Sequence, residues 1–237
     1  MRERPLSDVP KLALAALVMA FGLQLGWHLT RPPSQVVMRD LGPAPSLSSL
    51  QLASVGEPIA AGKLLMLYIQ ASDDQAGLAM SFKQLNYEHL TSWLTRVLQL
   101  DPRANYPLFM AGRVYGAVSN LEKRRSMFEF IYQQFLLDPN RRWRALADAA
   151  VSARHSLKDL TLARKYTRAL RLYATDRSVP VWARQMDIFM MEDMGEVKSA
   201  RMLLGAMFSS GEITDPREIA FVLKRMTQLE AEEKPRQ

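Results

Sequence analysis

An echo at a spacing of 37 residues constrains this chain more than any other feature. Leu100-Asp101-Pro102 returns as Leu137-Asp138-Pro139-Asn140, and Lys158-Asp159 with Ala163 returns as Gly195-Glu196 with Ala200, each pair 37 positions apart. Apolar residues fall at helical spacing between these landmarks. A period of this length made of helices reads as stacked helix pairs, because one pair cannot bury its apolar face alone and needs its neighbour. The expected fold is all-α: an N-terminal transmembrane helix, an α-solenoid of about three to four helix-turn-helix pairs, and a C-terminal capping helix.

Residues 1–11 are a short basic head. Leu12–Leu29 follow without a charge, and 18 residues of helix at about 1.5 Å each reach roughly 27 Å, close to the hydrocarbon thickness of a bilayer. Trp27 and His28 suit its interface. A cleaved signal peptide competes with the anchor: Leu12–Met19 would be its apolar core and Ala20-Phe21-Gly22 its cleavage site. Apolar character continues to Leu29, which favours the uncleaved anchor. Arg2, Arg4 and Lys11 outnumber Arg31 and Arg39, so the expected orientation is N-terminus inside, with the domain outside the cytoplasm.

Residues 30–58 read as a linker broken by Pro32, Pro33, Pro43, Pro45 and Pro58, with a short helical turn over 46–54. The helical domain is expected over 59–232, with 233–237 as a frayed tail. Ile59–Gln70 is its first helix and 71–81 a loop. Asn86 caps the next, which buries Leu90, Trp93, Leu94, Val97 and Leu98 and stops at Asp101-Pro102.

Leu108-x-x-Ala111-Gly112-x-x-Tyr115 opens the repeat block. Its partner helix, Lys123–Leu136, turns Met127, Phe128, Phe130, Ile131 and Phe135 inward. The second pair is Trp143–Arg154 with Leu160–Tyr173, packed through Ala163. The third is Val181–Asp193 with Val197–Phe208, joined at Gly195, where Trp182, Met186, Phe189 and Met190 face Ala200, Leu203, Leu204 and Met207. Asp215-Pro216-Arg217-Glu218 then starts a helix with an N-cap aspartate, a first-turn proline and a capping-box glutamate. Ile219, Val222, Leu223, Met226 and Leu229 form its apolar face.

On Gly112 and Tyr115, on Gly195 and Ala200, and on the period itself, residues 86–208 resemble tetratricopeptide (TPR) repeats. The whole chain resembles the membrane-anchored repeat proteins of the bacterial envelope, which implies an anchor in the inner membrane and a domain facing the periplasm, or a soluble periplasmic protein if the N-terminal segment is cleaved. The resemblance implies a concave groove for a peptide, helix or partner domain, with Ala111-Gly112 admitting the partner helix closely. It implies no catalytic residue and no small-molecule substrate.

The residues themselves carry no enzyme signature. There is no cysteine, which removes disulfides and thiolate sites. His28, His89 and His155 are scattered without ligand spacing, and no phosphate loop or nucleophile elbow is present. Asp73-Asp74 has no third acidic partner at a calcium-loop spacing and reads as a solvated loop. No metal, cofactor or catalytic residue is therefore expected. An enzyme would need groups converging from distant helices.

Charge is the anomaly. From Arg141 to Arg184 eleven basic residues stand against Asp148, Asp159 and Asp176, a net +8 that exceeds the +7 of the entire chain. Arg164, Arg168 and Arg171 recur at i, i+4 and i+7 on one helix face. Arg141, Arg142 and Arg144 fall at a helix N-terminus, where cations oppose the helix dipole. A charge-rich helix face is ordinarily a solvated one. The functional alternative makes these six residues a surface for an acidic protein or peptide. Anionic lipid is a weaker candidate, and nucleic acid is not expected, because interleaved aromatics for base stacking are missing from the stripe. The reading that follows is a non-catalytic, membrane-anchored scaffold in an envelope complex. Its alternative is a structural subunit of a larger membrane complex without a ligand of its own.

Overall fold

The computed structural model describes residues 10–30, 41–75, 78–79, 85–211, 213 and 215–233. The described chain is helical apart from a two-residue antiparallel pairing of Asp74–Gln75 with Leu78–Ala79. Helix α1 (Lys11–Thr30) buries no residue and is long and apolar enough to cross a membrane, a test that a signal sequence also passes. Ten helices follow: α2 (Leu47–Ala53), α3 (Pro58–Asp73), α4 (Tyr87–Leu100), α5 (Tyr106–Arg113), α6 (Leu121–Leu137), α7 (Pro139–His155), α8 (Leu160–Tyr173), α9 (Val181–Asp193), α10 (Val197–Ser209) and α11 (Pro216–Glu233). Apart from α4 on α5, each from α3 to α11 packs chiefly on its neighbours in the chain, and α4 also touches α6, and α5 touches α7.

The 37-residue echo has a backbone counterpart. Asp101 (φ −129°, ψ 84°) ends α4 and Asp138 (φ −151°, ψ 73°) ends α6 in closely similar conformations. Lys158 (φ 54°) and Gly195 (φ 77°) both adopt the left-handed region, one between α7 and α8, the other between α9 and α10. At Gly195 the turn is closed by the 5→2 bond from Gly195 N–H to Glu192 O (2.9 Å) and the 6→1 bond from Glu196 N–H to Met191 O (2.8 Å). Ala163 and Ala200, also 37 apart, are both fully buried.

Lys158 is exposed and holds a conformation that a Cβ disfavours by about 1–2 kcal/mol, while glycine occupies its counterpart. Lys158→Gly removes that strain and no packing, but frees the unfolded chain. A net gain of about 0.5–1 kcal/mol is expected by chemical denaturation. A loss would mean that the Lys158 side chain supports the turn.

Several elements differ from their sequence expectation. The linker ends earlier than residue 58: Leu41 is buried, and three side chains spaced along α4 hold the segment after it. Trp93 Nε1 donates to Gly42 O (2.7 Å), Arg96 Nε donates to Pro45 O (2.9 Å), and His89 Nδ1 lies 2.6 Å from Leu41 O. Proline had marked this stretch as spacer, yet prolines without N–H groups suit a strap whose carbonyls are captured by side chains. The loop expected over 71–81 gives way in part to α3, which continues to Asp73; the side chains of the Asp73-Asp74 pair lie outside the described residues.

Helix α5 stops at Arg113, so Tyr115 sits in a 3-10 turn (Tyr115–Ala117) rather than on the helix of Gly112. Tyr115 is still fully buried, and Tyr87 Oη donates to its carbonyl at 2.8 Å. The tight glycine is Gly116. A Cβ there would meet Ala111 O at 2.8 Å and Phe128 Cε1 at 3.0 Å, whereas at Gly112 it would meet only the movable Ile131 Cδ1, at 3.3 Å.

Two apolar cores result. The larger runs from Leu41 through α3–α9 and contains every inward residue expected of α4 and α6. The smaller joins α9, α10 and α11 through Ile188, Met191, Leu204, Val222 and Leu229. Trp182, expected inward, is 49% exposed, because α9 instead turns Ala183, Ile188 and Met190 to its neighbours. Leu223 on α11 is likewise exposed.

Candidate functional site

The expected basic surface divides once the helices are packed. Pro139 takes the first position of α7, and the 3.6-residue period then turns Arg142 inward while Arg141 and Arg144 stay exposed. Arg142 is 6% exposed. Its guanidinium donates to Gln134 O (2.8 Å), Gln134 Oε1 (3.0 Å) and Pro102 O (3.3 Å). It therefore clamps α6, α7 and the α4–α5 turn together and presents nothing to a partner. Burial pushes its pKa below the ordinary value; the Asp138 carboxylate opposes this and Arg141 adds to it. Arg141 pairs with Asp138 (2.9 Å), and Arg144 lies over the Trp143 ring, 5.2 Å from its centroid.

The α8 stripe is also largely structural. Arg171 Nε meets the buried Asp187 Oδ2 on α9 at 2.9 Å, and Arg164 pairs with Glu196 at the start of α10. Between them Arg168 remains exposed. Lys165 binds Glu129 on α6 at 2.8 Å, and Arg154 binds Asp193 on α9 at 2.8 Å. These cations join α8 to α6, α9 and α10, and α7 to α9. Their acidic partners Glu129, Asp187, Asp193 and Glu196 lie outside the 141–184 segment, which is why its net charge exaggerated a free surface.

Another feature emerges on the odd-numbered helices. A cavity of about 420 Å³ lies between α3, the end of α4 and the start of α5, lined by Gly62, Lys63, Met66, Leu67, Gln70 and Tyr106 among others. A second, of about 290 Å³, lies between α5 and α7, lined by Phe109, Gly112, Arg113, Trp143, Arg144 and Asp148, with Arg141 and Arg142 at its wall. Asn105 borders both. Gln70 hydrogen-bonds Tyr106; Tyr106 stacks on Phe109 (6.3 Å); Phe109 and Trp143 share the second cavity; Trp143 meets Trp182 of α9 edge-on (5.3 Å). An aromatic ribbon thus runs from α5 to α9, and Gln70 ties its first ring to α3. Tyr106, Phe109 and Trp182 are each about half exposed along it.

The ends of this groove differ electrically. The first cavity is mostly apolar, with Lys63 and Asp101 at its edge. The second is lined by Arg113, Arg141, Arg142 and Arg144. Arg113 Nη2 reaches Asp148 Oδ1 at 2.9 Å between α5 and α7, Arg141 pairs with Asp138 and Arg142 is buried, while Arg144 is exposed at its rim. Of the six arginines singled out by sequence, Arg141, Arg142 and Arg144 come together here, and Arg164, Arg168 and Arg171 do not. Sequence reasoning missed Tyr106, Phe109 and the outward Trp182. The i, i+3 spacing of Tyr106 and Phe109, which puts both on one side of a helix, was the available signal.

Among the described residues no cluster of three metal-binding side chains forms. What the fold defines is a class: an all-helical chain with an apolar N-terminal helix and helices packed in chain order. No protein-family model, curated protein or solved structure matches it.

Proposed function

We propose that this chain is a membrane-tethered, TPR-like scaffold of the cell envelope that holds an extended, acidic and apolar segment of a protein partner in the α3–α9 groove. In this reading α1 crosses the inner membrane with its N-terminus inside, and the groove faces the periplasm. The aromatic ribbon that joins the two cavities carries the proposal. Half-exposed aromatic rings give a large apolar contact area at low entropic cost, as interface anchors do. At the roughly 8–10 Å between packed helices, three steps from α3 to α9 span about 24–30 Å, room for about seven to nine residues of extended chain. The mostly apolar cavity suits a large apolar side chain, and the exposed Arg144 at the second suits a carboxylate.

The test places a photo-crosslinking benzoylphenylalanine at Phe109 or Trp182 in the full chain in its native membranes. Leu172, half exposed on α8 and outside the groove, is the control. Both groove positions should give one discrete protein adduct, joined through an acidic, apolar segment. Arg144→Glu should reduce its yield about tenfold, as expected for loss of one charge-assisted contact. The same adduct from Leu172, or an unchanged yield with Arg144→Glu, would overturn the assignment.

A further inference from the structure

The beginning of the helical stack carries a second, different surface. A repeat stack exposed to water ends in a polar face. Here α2 and α3 meet at 110° with Leu52 (84% exposed) and Val55 (88% exposed) at the corner and Leu64 beyond it. Val55 holds φ 49°, a conformation costly for a β-branched side chain, and it aims an isopropyl group at solvent. Between Leu41 and Ala71 the only charged residues are Glu57 and Lys63. At 3.6 residues per turn Leu64 and Tyr68 share a side of α3 distinct from Lys63 and Gln70, so this surface is separate from the groove.

We infer that the α2–α3 corner inserts into the interface of the same bilayer that α1 crosses, seating the domain on the membrane. This inference rests on the anchor reading of α1. The occupant follows from how the chain is connected. Only ten residues separate Thr30, the end of α1, from Leu41, a span of at most about 40 Å even when fully extended. Leu41, Gly42 and Pro45 are fastened to α4 by His89, Trp93 and Arg96, and Tyr68 packs on the same Trp93 (5.1 Å). The tether therefore arrives beside the outer side of α3 and leads directly into α2. A few apolar side chains with almost no charge, held next to an anchor, have the makings of an interfacial insertion.

The absence of cysteine makes the test direct. The full chain is reconstituted in phosphatidylglycerol–phosphatidylethanolamine vesicles as Val55→Cys, Leu64→Cys and, on the α8–α9 turn, Arg177→Cys. Each carries an environment-sensitive fluorophore. Doxyl lipid should quench the labels at 55 and 64 by at least about half and leave the label at 177 nearly unchanged, since interfacial burial reaches only about 5–10 Å. Aqueous iodide should show the reverse order. Labels at 55 and 64 as open to iodide as that at 177 would overturn the inference, as would protection from both quenchers, which would mean a protein cover. Alkaline extraction separates the two readings. Release of the protein would remove the anchor and the inference together, whereas retention with open labels would remove the inference alone.

Discussion

Truncating Phe128 to alanine should lower the unfolding free energy of the domain by about 3–5 kcal/mol, among the largest losses a single side chain can cause. Phe128 is 1% exposed on α6, and its ring closes over Gly116 of the 3-10 turn. The removed ring leaves both lost transfer energy and a cavity, because α5 and the turn are fastened elsewhere by the Tyr87–Tyr115 bond. The close approach supplies a sharper check. Gly116→Ala alone should cost about 1–3 kcal/mol, since Cβ would press on Ala111 O and Phe128 Cε1. In a Phe128→Ala background the second clash is gone and the first remains, so the penalty should shrink without vanishing. Urea unfolding of the four variants measures the coupling. Strict additivity would mean that Phe128 is not what closes on Gly116.

The second large effect separates neighbours in sequence. Arg142→Ala should destabilise the domain by about 3 kcal/mol, while Arg144→Ala should stay within about 1 kcal/mol. The difference is burial. Arg142 leaves behind the carbonyls of Gln134 and Pro102, desolvated and without their donor, where three parts of the chain meet. Arg144 leaves an exposed cation–π contact with Trp143, and such contacts contribute little in water. Arg142→Lys should fall between, because an ammonium can donate but cannot span the same acceptors as a planar guanidinium. Thermal unfolding followed by circular dichroism resolves the three. Equal losses for Arg142→Ala and Arg144→Ala would show that Arg142 is not a clamp. The result also guards the groove test: Arg144→Glu can report on partner capture because the fold does not depend on it.

Much of the architecture was legible before any coordinate. The inward set of α6 followed from its spacing, and Asn86 does accept from Glu88 N–H and His89 N–H as an N-cap should. The echo at Lys158 and Gly195 marked two interhelix turns, each with a left-handed residue just before the N-cap of the next helix. These are local properties. Helical periodicity, capping and left-handed turns depend on residues a few positions apart, and that is the range over which a sequence is explicit.

Only the tertiary structure decided which arginines are surface. Asp187 follows Arg171 by 16 positions and Glu196 follows Arg164 by 32, so each cation's partner lies on another helix. The segment's charge could be counted from the sequence, but its neutralisation depended on how α8 packs against α9 and α10. The groove has the same origin. Tyr106, Phe109, Trp143 and Trp182 come from three helices and form one ribbon only when α5, α7 and α9 stand side by side. The sequence by itself determined the helices, their order and the apolar segment at the N-terminus. The packing angles and rotations, set by long-range side-chain fit, decided which faces are joined and which are left open.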